Sequence, residues 1–237
     1  AKMVEYNPFS DEVVKGDPLP IYKKLRDEAP AYYLSKYDTW VLSRFEDIWK
    51  ASGDMKNLTA AKGTTAAHLL TKVQPVTPMI NMMDAPDHTR LRSSMRKKFA
   101  AQEVAELEPV IRRIAEDCFA RVADQGEMDV MADLSSQVAV TVACMISGLP
   151  PEDGPLLNDL VWRFFKREEG HDGMTDAGLA AMGEMFAYFH SKIAERRSGT
   201  AQDDVLQDLL EFEEDGQRLD DEAIASHLSM LIIGGSE

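Results

Sequence analysis

From residue 101 onward, apolar side chains recur every three to four positions, the signature of helices that bury one face. Val104, Leu107, Ile111, Ile114, Cys118 and Val122 define a helix over 101–123, ended near Gly126. A more continuous apolar run predicts a helix over 131–147, stopped by Gly148 and the Pro150-Pro151 pair. Further helices are predicted over 152–166, 175–197 and 203–213, followed by a last one capped by Asp220 with Asp221 and Glu222 in its first turn. Upstream, a helix spans 86–99, and another, over 17–30, starts with Asp17 as cap and Pro18 at its first helical position. Two short β-like runs, 31–34 and 39–42, flank a polar turn and predict a hairpin, while 128–130 predicts a further short strand. Helical spacing resumes over 43–52 with Phe45, Ile48 and Trp49. Residues 57–81 are rich in Thr, Ala, Gly and Pro and lack a period, so they predict a long loop with one short helix over 66–70. A long irregular segment within a compact domain is more often functional than accidental. The whole pattern predicts a single, mainly α domain over 1–237 with a small N-terminal β region.

Composition narrows the function classes. A net charge of -15, from 41 acidic and 26 basic residues, argues against the broad basic face that nucleic-acid binding needs. No clean apolar run approaches the roughly 20 residues of a membrane span. The opening AKMVEYNPFSDEVV has no basic segment followed by an apolar one, so a cytoplasmic protein without a membrane partner is expected. Cys118 and Cys144 each sit in apolar helical sequence and read as buried, reduced thiols. No HExxH, CxxC or phosphate-loop pattern occurs, and no metal ligand is assigned within the chain.

Two constellations call for chemistry. In DAPDHTRLRSSMRKKF, taking His88 as zero and stepping about 100° per residue puts Arg92 at about 40°, Met95 at about -20° and Phe99 at about 20°. His88 and Arg92 thus share the side of the apolar anchors. A buried arginine is costly unless an anion meets it. An internal Asp or Glu could be that anion, and so could an external ligand. Five Lys or Arg residues lie between Asp84 and Lys98 of this acidic chain, which suits an acidic partner on the outer face. The second constellation is LSMLIIGGSE. Two glycines follow an apolar run, each costing a helix roughly 1 kcal/mol relative to Ala. They mark either a helix end or the close approach of a flat ligand or another backbone. Met79, Met82 and Met83 surround the long loop, where flexible side chains suit an adaptable apolar pocket.

Taken together, these residues resemble the bacterial cytochrome P450 family, close in pattern to its camphor-hydroxylase-like members. The run 83–92, MDAPDHTRLR, resembles the family's helix across one face of the haem; Gly148-Leu149-Pro150 resembles the turn before its lid helices; Asp203-Asp204-Val205-Leu206 resembles the start of a later helix; and Gly234-Gly235-Ser236-Glu237 resembles the start of the oxygen-binding kink in its central helix. The resemblance implies the P450 fold, reached here only into the central helix, and a monooxygenase using haem b (heme, iron protoporphyrin IX), O2 and electrons from a ferredoxin. It implies that His88 and Arg92 bind haem propionates, that Gly234 and Gly235 let the helix lie close over the haem, and that Glu237 is the acid of a proton relay. It assigns Val76, Met79, Ile80, Asn81, Phe165, Met230 and Ile233 to the wall of a small apolar substrate's pocket. It assigns Arg92, Arg96, Lys97 and Lys98 to the redox-partner surface. The iron-ligating cysteine is expected beyond Glu237. Two rival readings are a non-catalytic helical protein that binds an apolar ligand and a helical transcription regulator.

Overall fold

The computed structural model describes residues 4–72, 77–166, 168 and 173–236, without the side chains of Ala67 and Thr71. The chain divides into two compact units, Ala1–Val76 with Arg167–Met174, and Thr77–Lys166 with Thr175–Glu237. In the first, a short helix α1 (Asp11–Val14) precedes α2 (Leu19–Glu28), whose first turn is held by the Asp17 carboxylate accepting from the Leu19 N–H at 3.0 Å. Strands β1 (Ala31–Leu34) and β2 (Thr39–Leu42) pair antiparallel with Tyr33 opposite Trp40. Then come α3 (Phe45–Gly53) and α4 (Ala66–Thr71). The core of this unit is small. Val4, Ile21 and Leu25 are buried, and Tyr6 stands edge-on to Tyr22 and Tyr32 with 6.3 Å between ring centroids in each pair. Trp40, Phe45 and Trp49 remain exposed, so the helical spacing of α3 marks an apolar side that this unit does not cover.

The second unit is helical. It contains α5 (Asp87–Met95), α6 (Ala101–Glu106), α7 (Glu108–Val122), α8 (Ser136–Ser147), α9 (Gly154–Phe165), α10 (Asp176–Ser198), α11 (Val205–Glu211) and α12 (Asp221–Ser236). A two-residue hairpin, β3 (Glu213–Glu214) with β4 (Gln217–Arg218), links α11 to the sequence before α12. α12 occupies the centre and packs on α8, α9, α10 and α11, with Ile224, Leu228 and Ile232 fully buried. Phe189, Ile193, Leu157 and Leu209 complete that core from the surrounding helices. Each such side chain contributes about 1.5–3 kcal/mol by leaving water.

A buried ion pair joins three helix ends. Arg196, in the last turn of α10, donates to the Asp204 carboxylate at 2.7 Å and to the Gly148 carbonyl at 3.1 Å. The same carboxylate accepts from the Gln207 N–H at 2.9 Å, capping α11. The two charged side chains are 7% and 9% exposed. Gly148 ends α8 in the left-handed region at φ 79°, and a Cβ there would lie 2.3 Å from Asp204 Cγ. Its missing side chain therefore serves both the turn and the carboxylate.

The structure departs from the sequence pattern in four places. The helix expected over 101–123 breaks at Leu107 because Pro109 enters the first turn of α7 and cannot supply an N–H to α6. The strand expected over 128–130 is absent; Asp129 caps a wide π-helical turn, Val130–Ser135, that runs into α8. The end of the expected helix over 203–213 is instead β3, turned by Asp215 and Gly216, both at positive φ. Finally, the segment Val130–Ser147 is long and apolar enough to cross a membrane by length and composition, where no such run is expected from the sequence. Its Val140 and Cys144 are fully buried against the core, and it packs as a helix of the second unit.

The clamp predicts unequal costs. Asp204→Ala strands the buried Arg196 guanidinium and should lower unfolding free energy by about 3–5 kcal/mol. Asp221→Ala, which removes an exposed pair with Arg197, should cost under about 1 kcal/mol. Urea denaturation of the two variants checks the difference. A second prediction concerns His227, which is 3% exposed and whose Nδ1 has no hydrogen-bond partner among the described residues. Burial lowers its pKa to about 4. The unfolded chain therefore binds a proton that the folded chain refuses between about pH 6.5 and 4. Stability from this group is complete above about pH 6.5 and is lost as pH falls, by on the order of 3 kcal/mol. The urea midpoint of His227→Leu should vary less over this pH window than that of the parent.

Candidate functional site

The cationic helix α5 is anchored by Leu91 and Met95, both buried in the core. His88 is half-buried, and Arg92 is exposed. Arg92 thus lies on the flank of the anchored face, and not inside it as ideal helical spacing implies. From Arg96 to Phe99 the backbone winds as a 3-10 helix, whose tighter turn rotates Phe99 off the Met95 line and into the open. Arg90 is tied to Asp87 at 2.8 Å and to Glu214, and Lys98 is tied to Asp203 with its side chain largely buried. Arg92, Arg96 and Lys97, by contrast, are exposed and form no ion pair among the described residues. Among the described residues, Arg92 therefore has no carboxylate that neutralises it.

The paired glycines lie inside α12, which continues to Ser236, and they do different work. A Cβ on Gly235 would come within 2.7 Å of Ala143 Cβ, so this glycine lets α12 and α8 touch. Gly234 is exposed, and a Cβ there would meet only the flexible Met230 Cε at 3.5 Å. The close approach of another backbone thus accounts for one glycine and leaves the other with an open face.

Phe99, Ile111, Val142, Ala143, Leu231 and Gly235 line an open apolar groove of about 340 Å³. It is walled by α7, α8 and α12, so the uncovered side of α8 faces it. The structure thereby brings Phe99 and Gly235 together. The signal for this groove was in the sequence: 131–147 is apolar nearly all round, more than one buried face requires. Of the expected pocket wall, Ile80 packs on the core beside Met83, Ile233 is buried, Met79, Asn81 and Met230 are half-buried, and Phe165 is exposed with its ring edge-on to Phe164 at 5.0 Å. Val76 and Glu237 lie outside the described residues. Spacing did not single out Ser226, which is buried on α12 and donates to the Thr77 carbonyl at 3.2 Å. A serine in an apolar helix carries no sequence signal for so distant a partner.

Both cysteines are buried. Cys144 is fully buried, and burial, with repulsion from Asp153, pushes its thiol up to about 12. Cys118 is buried on α7, with its sulfur accepting from Arg121 at 3.0 Å.

No family model matches the chain. It is 32% identical over 225 residues to a vitamin D(3) 25-hydroxylase of Pseudonocardia autotrophica, covering 93% of this chain and 54% of that protein. It is 30% identical over 223 residues to the putative cytochrome P450 123 of Mycobacterium tuberculosis, covering 93% and 55%. Its fold matches that of the Bacillus subtilis bacillaene polyketide synthase cytochrome P450 PksS with a TM-score of 0.75 at 24% identity, covering 98% of this chain and 58% of that one. The chain spans about half the length of the curated relatives it matches. These relatives imply haem b. The residues present fit its flat, doubly anionic shape: an open glycine on α12, and an arginine on α5 with no counter-ion among the described residues. Cys118 and Cys144, the chain's two thiols, are both buried within the helix packing.

The two glycines should separate on substitution. Gly235→Ala should cost about 1–3 kcal/mol through overpacking against Ala143. Gly234→Ala should leave stability unchanged or raise it by up to about 1 kcal/mol, because alanine is the better helix former. Thermal or urea unfolding of both variants checks this.

Proposed function

We propose that this chain, whose relatives and fold support the bacterial cytochrome P450 family, is part of a haem monooxygenase of the soluble, cytoplasmic, camphor-hydroxylase-like kind, inserting one oxygen atom of O2 into a small apolar substrate. The observation that carries the reading is Arg92, exposed on a helix anchored by Leu91 and Met95 and lacking any ion pair among the described residues. When bound, haem supplies the activation of oxygen and the redox chemistry. The residues of the chain hold it, keep water away and move protons. Arg92 donates charge-assisted hydrogen bonds to a propionate, and His88, half-buried one turn earlier, donates to it as well. Gly234 presents backbone without a side chain to the ring face. Glu237 is the acid that passes protons toward the oxygen site. Met79, Ile80, Asn81, Phe165, Met230 and Ile233 form the wall that orients the substrate. Arg96 and Lys97, with the outer edge of Arg92, meet an acidic ferredoxin. Lys98 takes little part in that surface, because Asp203 already holds its ammonium.

The test uses the full-length polypeptide that contains this chain. Reduced and exposed to carbon monoxide, it should show the long-wavelength absorption band of a thiolate-ligated haem. Absence of any haem band overturns the reading. Arg92→Ala should weaken haem retention about tenfold or more, as expected for the loss of a charge-assisted bond, while stability of the haem-free protein stays near the parent's.

A further inference from the structure

Three serines of α12 are described with hydroxyl bonds, and their partners differ in kind. Ser229 donates to the Ala225 carbonyl at 2.8 Å and Ser236 to the Ile232 carbonyl at 2.6 Å, each one turn back on its own helix. Ser226 donates instead to the carbonyl of Thr77 at 3.2 Å, across 149 positions of sequence. Ser226 and Ser229 are equally buried, at 1% and 2% exposure, so burial alone does not decide the choice of partner. A buried hydroxyl must find an acceptor, and one turn of its own helix always provides one. Ser226 uses a foreign carbonyl, and so spends its bond on holding the segment that begins at Thr77. That segment runs through Met79 to a 3-10 turn, Ile80–Met82, which packs on α12 and on α5. Met82 is its buried anchor at the far end. Between the polar anchor at Thr77 and the apolar anchor at Met82 stand Met79, Ile80 and Asn81.

We infer that Ser226 is a positioning residue: its hydrogen bond to Thr77 sets the path of residues 77–81 and thereby the grip of the pocket on its apolar ligand. Without it, Met82 still holds one end of the segment while the other is free to swing. Ligand affinity then falls although nothing that touches the ligand has changed. The inference rests on the proposed pocket, yet the tether can be measured without it.

In the full-length polypeptide, Ser226→Ala is compared with Ser229→Ala, which removes an equally buried hydroxyl whose bond stays within the helix. Amide hydrogen exchange reads the tether and needs no haem. Residues 77–82 should exchange about three- to tenfold faster in Ser226→Ala only, the range expected for one neutral hydrogen bond, with α10 unchanged in both. Binding of phenylimidazole, followed by its shift of the haem absorption, reads the pocket, and its dissociation constant should rise by a similar factor in Ser226→Ala only. Unchanged exchange at 77–82, equal effects of the two substitutions, or faster exchange throughout α10 overturns the tether. Faster exchange at 77–82 with unchanged phenylimidazole affinity overturns its role in the pocket. A protein without a haem band overturns the proposed function and leaves the exchange result to decide the tether.

Discussion

Three helix ends of the second unit meet at one guanidinium. Arg196 closes α10, the Gly148 carbonyl closes α8, and Asp204 opens α11, and none of the three could be buried without the other two. A charged group away from water must be matched in both charge and hydrogen bonds, and this match tolerates little movement. The termini of α8, α10 and α11 are therefore placed relative to one another, and α12 fills the space among them. The site depends on that placement. Gly235 can touch Ala143 only because α8 lies where the clamp and the core put it.

Around this arrangement the molecule keeps surfaces that a finished core would hide. α8 is apolar on nearly all sides, yet one side opens on the groove that includes Phe99, Leu231 and Gly235. In the first unit, Trp40, Phe45 and Trp49 stand exposed beside a core of few residues. Apolar area on this scale is stabilising when covered and a liability when wet. Arg92, Arg96 and Lys97 form the polar counterpart, cations unbalanced within the described chain although its overall charge is -15.

The sequence pattern made much of the fold legible. The hairpin strands coincide with the β-like runs, because alternation and the polar turn between them leave few options. The irregular stretch over 57–65 and the short helix after it were visible in the absence of a period, and Thr65 caps that helix through the His68 N–H. Breaks depended on subtler chemistry. Pro109 divided one predicted helix, and an Asp-Gly pair at positive φ made a hairpin at the end of another. The direction of Arg92 was misjudged because the face of an ideal helix is averaged over turns. Here Leu91 was the stronger anchor, and the 3-10 winding after Met95 shifted the remainder.

By itself the sequence determined the helical class, the order of elements, the basic character of α5 and the presence of two glycines in an apolar helix. These follow from spacing and side-chain chemistry, which act locally. Only the tertiary structure decided which glycine faces a neighbouring helix and which faces open space, which cations are already spent on carboxylates, and that Ser226 reaches Thr77 while Ser229 does not. Such distinctions arise from contacts between residues far apart in the chain. Local periodicity carries no information about the partner a side chain meets once the helices have packed.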